Sequence, residues 1–105
     1  MSVDQQKRIE EILSTIEAER KIASALLTWL TARPYAQRLA LVLSMLNTTN
    51  DDLTDASIMK AIPPENMESW VDAAEGVLRA AIGIRSSVQE LAERLGPNGQ
   101  FIEPR

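Results

Sequence analysis

The chain reads as all-α, a small helical bundle, and three observations predict it. From Pro64 to Leu95, apolar residues recur at spacings of four and three: Trp70, Ala74, Val77, Ala81, Ile84, Val88, Leu91 and Leu95. That period lines one side of a single helix. A second such line, Ile9, Leu13, Ile16, Ala23, Leu27 and Leu30, runs through the first third of the chain. Aromatics make up only 4% of residues while hydrophobic residues reach 45%. Ala, Leu and Ile therefore carry the apolar load, and that mix suits closely packed helices. The expected elements are two long helices, about 3–33 and 64–95, and two short ones, about 34–47 and 54–61.

The first helix has its start signal at Ser2, with Gln5 three residues on as the other half of a capping box. Its apolar line is interrupted at Arg20, and Ile22, Leu26 and Trp29 widen the apolar surface in the second half. The first half is therefore expected to be exposed on one side and the second half buried on most sides. Pro34 ends this helix, because its ring disfavours helical geometry at Arg33.

The same Pro34 suits the first turn of a second helix, where a missing N–H costs nothing. From Leu39 to Leu46 only Ser44 is polar. A helix apolar all round is a buried one, which places this segment at the centre of the fold. A buried strand is the rival, but β-branched residues are few and no partner strand follows. The run Asn47-Thr-Thr-Asn-Asp51-Asp52 reads as a loop by composition. Thr54 would cap the short third helix, which ends before Pro63-Pro64. Pro64 opens the long helix, with Glu65 and Glu68 where the helix dipole favours acids. Gly96 and Pro97 stop it. Residues 1–96 are thus expected to form one helical domain, with 97–105 a tail whose Phe101 and Ile102 could dock on it.

Composition narrows the function. The 105 residues carry a net charge of −4, from 15 acidic and 11 basic side chains. An acidic chain repels a phosphate backbone, so non-specific nucleic-acid binding loses its main drive. With no Cys, disulfides and thiolate metal sites are excluded. No apolar segment approaches the length of a membrane span, and a cytoplasmic protein without membrane contact is the expectation.

The absence of His and Cys removes the commonest general base, the commonest metal ligand and the thiol nucleophile. The serines lack flanking nucleophile-elbow glycines, so no enzyme is expected. Asn50, Asp51, Asp52 and Asp55 cluster, but without the Gly and closing Glu of a calcium loop they read as acids at a helix N-terminus. The four glycines are isolated, so no phosphate cradle is expected, and with it no cofactor, metal or small-molecule substrate.

The remaining class is a helical protein–protein interaction or assembly module, acting as a homodimer or adaptor. Two surfaces are expected to serve it. One is the apolar flank of the first half of helix one, Ile9, Ile12, Leu13 and Ile16, projecting past a second helix of about 20 Å. The other is the small-residue edge of the long helix, Ala73, Gly76, Ala80 and Gly83, where another backbone could approach closely. The alternative is a small nucleic-acid-binding transcriptional regulator using Arg33, Tyr35 and Arg38. Against it, the would-be recognition helix carries Glu65, Glu68, Asp72 and Glu75. Two arginines fall at the seams, Arg20 and Arg85. Their side chains are expected to run along apolar surface and end in water; the alternative is a buried charge that fixes register.

Overall fold

The computed structural model describes residues 2–30 and 32–94. Within them the chain forms α1 (Val3–Trp29), α2 (Arg33–Thr54), α3 (Ala56–Ala61), a 3-10 turn (Pro64–Asn66) and α4 (Met67–Glu93). The all-α bundle expected from the sequence is the observed fold. The expected stop at Gly96, Leu95 of the apolar line and the tail 97–105 lie outside the described residues.

α1 begins as its sequence dictates. The Ser2 hydroxyl accepts from the Gln5 N–H at 3.1 Å, and the Gln5 side chain accepts from the Ser2 N–H at 3.1 Å. Two of the orphan donors of the first turn are satisfied reciprocally. The helix ends at Trp29, and Pro34 sits in the first turn of α2. So short a connection makes α1 and α2 antiparallel neighbours. α4 runs parallel to α1, since Arg8 meets Asp72 and Glu75 while Glu19, further along α1, meets Arg85, further along α4.

The second half of α1, expected to be buried on most sides, leaves Ile22 and Trp29 exposed, and the largest departure is in α2, which continues to Thr54 instead of stopping at Asn47. Its buried residues are Leu39, Val42, Leu46, Thr49 and Leu53, an unbroken line at spacings of three and four. Packing of Thr49 and Leu53 against the bundle overrides the poor helix propensity of the intervening Asn, Thr and Asp residues. The Thr54 hydroxyl turns back to the Asn50 carbonyl at 2.8 Å, leaving Asp55 as the cap of α3. Asp55 accepts from the Ser57 and Ile58 N–H groups at 2.8 and 3.3 Å.

The longer α2 changes the fate of α1. Ile9, Ile12 and Ile16 are buried in the core, Ile16 completely, and Leu13 packs half-buried at its edge. The first surface expected for a partner is therefore internal. It is covered by the second half of α2 and by α4, whose Leu78 and Ile82 share a groove with Ile12. On α4 the buried line is Met67, Val71, Ala74, Leu78, Ala81, Val88 and Ala92. It shares Ala74, Ala81 and Val88 with the line read from the sequence, but is turned toward Val71 and Leu78 and away from Val77 and Ile84. The molecule is a rod, 55 × 24 × 16 Å.

Candidate docking face

Three helices leave three lateral grooves, and their chemistry differs. Between α1 and α4 the surface is a ladder of charge. Arg8 donates to Asp72 at 2.7 Å and to Glu75 at 3.1 Å, and Arg79 reaches Glu75 at 3.3 Å. Hydrogen bonds to these two carboxylates raise the Arg8 pKa. Between α1 and α2, Arg20 donates to the Asn47 side chain at 3.2 Å, and the Lys21–Glu17 pair stands outside it. These exposed pairs add little stability, but they keep both grooves wet.

The third groove, between α2 and α4, is different. On α4 the outward sector from Ser69 to Leu91 reads Ser69, Ala73, Gly76, Val77, Ala80, Gly83, Ile84, Ser87 and Leu91. These positions lie within about 60° of one another's mean direction at about 100° per residue, and none is charged. One chain residue in four is charged overall, so a bare sector of this length is a feature of the face. Ala73, Gly76, Ala80 and Gly83, the second surface expected from the sequence, are all exposed. A Cβ built on Gly76 or Gly83 would meet nothing within 4 Å. At Gly76 and Gly83 the edge thus does not receive α1 or α2, and among the described residues nothing covers it there.

α2 contributes the other half. Asp52 and Thr49 line a hollow with Ala73, Ala74 and Val77, which fixes the level of α2 against α4. Leu41 lies three turns before Asp52 on nearly the same side, and Ile84 lies three turns beyond Ala73. Because the helices are antiparallel, Leu41 stands level with Ile84. Leu41 is 51% exposed and Val77 is 39% exposed. Met45 and Ile84, between and beside them, are half-buried. At the centre of this face the large side chains are therefore apolar and incompletely covered.

At one end the face runs into a hollow of about 470 Å³ at the α3–α4 corner, lined by Ile58, Ile62, Pro63, Trp70 and Ala73 among others. The Trp70 indole N–H is buried and has no acceptor among the described residues, which costs on the order of 1–3 kcal/mol.

The regulator alternative required Arg33, Tyr35 and Arg38 on one patch. Tyr35 packs against the core, while Arg33 and Arg38 are exposed but five residues apart, about 140° around α2. The structure does not bring the three together. Among the described residues no group of three or more His, Cys, Asp or Glu is placed to hold a metal, and no helix is long and apolar enough to cross a membrane.

Fold and face together define a small rod of three mutually packed helices, with an uncharged sector along the outer side of α4. Compared with known proteins, the chain stands without a match: no protein-family model, curated protein or solved structure is similar to it.

Sequence reasoning missed Glu19, and Arg85, expected to end in water, is instead the buried charge that was the alternative reading. Glu19 on α1 and Arg85 on α4 form a two-pronged ion pair, with side chains only 10% and 14% exposed. The signal was present in the spacing. Glu19 continues the buried series Ile9, Ile12, Ile16, and precedes Ala23 by four. The break in the apolar line falls at Glu19, one residue before Arg20.

Proposed function

We propose that this protein is a non-catalytic assembly module that binds a helical protein partner, in the first place a second copy of itself, through the α2–α4 face. The observation that carries the reading is the uncharged, exposed sector of α4 with open space over Gly76 and Gly83. Glycine inside a helix costs about 1 kcal/mol relative to Ala. None of the described residues offsets that cost at either position. Close approach of another backbone would. Leu41 and Val77 supply large apolar contact beside the glycines, the composition of an interface centre.

The test is sedimentation equilibrium at micromolar concentration, which should show a dimer or a higher species. A monomer throughout would reject the homo-oligomer. Gly83→Leu fills the open space and should abolish association while leaving the helical circular dichroism unchanged.

A further inference from the structure

Resting on that assembly reading, we infer that the partner is a second copy placed face to face about a two-fold axis at the level of Met45 and Ala80. In that arrangement α4 packs antiparallel on α4 of the partner, and α2 antiparallel on α2. The face selects this arrangement by its own pattern.

A two-fold axis pairs each residue with one equally far on the other side of the axis. Set at Ala80, it lays Ile84 of one copy over Gly76 of the other, and Val77 over Gly83. Val77 and Ile84, the large apolar side chains beside the glycines, then each meet a position where a Cβ would find open space, and Leu91 meets Ser69. Ala80 meets its own counterpart, so the helices can approach to about 8 Å.

The charges of α2 agree with the same axis. Arg38 and Asp52 flank Met45 at seven residues on each side, and both lie on the α4 side of α2. They are the charged residues that α2 presents on this face. Rotation about Met45 sets Arg38 of each copy against Asp52 of the other. Opposite charges thus meet at both rims, and no like charges meet across the apolar centre. A two-fold axis along the helices would instead set α4 of each copy over α2 of the other, and the pairing of large residues with glycines would be lost.

The length from Arg38 to Asp52 is about 21 Å. Two helices side by side are about 20 Å wide. With the α3–α4 corner, the face offers on the order of 600 Å² per subunit. Twice that clears the roughly 1,000 Å² of a specific interface, at the lower end of the range. The expected association is therefore in the micromolar range.

The experiment uses the absence of cysteine from the chain. Ala80→Cys places one thiol on the axis, where facing Cα atoms come within the roughly 7 Å that a disulfide spans. Under mild oxidation it should cross-link to a dimer, whereas Ser14→Cys on the outer side of α1 should not. In parallel, Arg38→Asp and Asp52→Arg should each weaken the dimer about tenfold at low salt, and the double reversal should restore it. All these positions are on the surface, and circular dichroism verifies that each variant is folded. A dimer that shows no Ala80→Cys cross-link, or that ignores the charge reversals, overturns this geometry while the assembly reading stands. A monomer at about 100 µM, far above the expected dissociation constant, overturns both.

Discussion

Arg85 grips Glu19 with both prongs of its guanidinium: Nε donates to Oε2 at 2.7 Å and Nη2 to Oε1 at 2.8 Å. The remaining direction is used as well, since Nη1 donates to the Gln89 side chain at 2.6 Å. The pair joins α1 to α4 across 66 residues of sequence and sits on the buried lines of both helices. It fixes a parallel register that leucines and alanines alone would leave free to slip by a turn. Removing one partner strands the other charge. Arg85→Met or Glu19→Leu should each cost about 2–4 kcal/mol in urea unfolding, whereas the double replacement should recover most of the loss. A double-mutant cycle with no coupling would show that the fork is an accident of the surface.

The same pair sets an expectation for pH. The hydrogen bonds to Glu19 raise the Arg85 pKa, against the opposing effect of burial. A cation whose pKa is raised on folding contributes stability that is complete below its unfolded value. That contribution fades only as pH climbs through the folded value. Both lie far above neutrality. The destabilisation caused by Arg85→Met should therefore be the same at pH 7 and at pH 9. A difference that shrinks over that interval would mean that the guanidinium charge is not what holds the fork.

Core and face should respond to truncation in opposite ways. Ile16 is fully buried between α2 and α4, and Ile16→Ala should cost about 2–5 kcal/mol, lowering the thermal midpoint by 10 °C or more. Leu41 is as apolar but half exposed. Leu41→Ala should change the stability of an isolated subunit by less than about 1 kcal/mol and act on association instead. Thermal melts at several protein concentrations separate the two, because only the second effect depends on concentration.

The fold was legible in the sequence wherever apolar spacing was continuous. Ser2 and Gln5 announce the start of α1, Pro34 lies in the first turn of α2, and Pro64, expected to open the long helix, opens the 3-10 turn that leads into α4 at Met67. The end of α2 was not legible, because Asn47 to Asp52 has the composition of a loop. Only the packing of Thr49 and Leu53 in three dimensions holds it helical. That one error also misplaced a surface. A second helix ending at Asn47 would leave Ile9 and Ile12 uncovered; a helix ending at Thr54 buries them. The edge from Ala73 to Gly83 lies on the surface, where small residues have no core of their own to fill. Leu41 and Val77 were missed as parts of that face. In the sequence they are indistinguishable from the buried residues beside them.

Asp55 carries the cap that Thr54 was expected to supply, and it serves two N–H groups of a helix only six residues long. So short a helix has little propagation to sustain it, and its cap should matter more than its length suggests. Asp55→Ala should cost about 1 kcal/mol and increase amide exchange across Ser57 to Met59. Thr54→Ala should leave α3 unchanged.

The glycines of α4 give the sharpest separation between folding and assembly. Neither Gly76 nor Gly83 is required by the backbone, since both lie within regular helix and a Cβ at either meets open space. For the isolated subunit, Gly76→Ala and Gly83→Ala should each add up to about 1 kcal/mol of stability, because alanine loses less chain entropy in a helix. In a 105-residue protein that is a rise of about 4–8 °C in the melting midpoint. If the two positions receive Ile84 and Val77 of a second copy, the same substitutions should weaken association while they strengthen the fold. Melting at high dilution would then improve, and melting at high concentration would improve less or worsen. A gain of equal size at every concentration would show that nothing docks over the glycines.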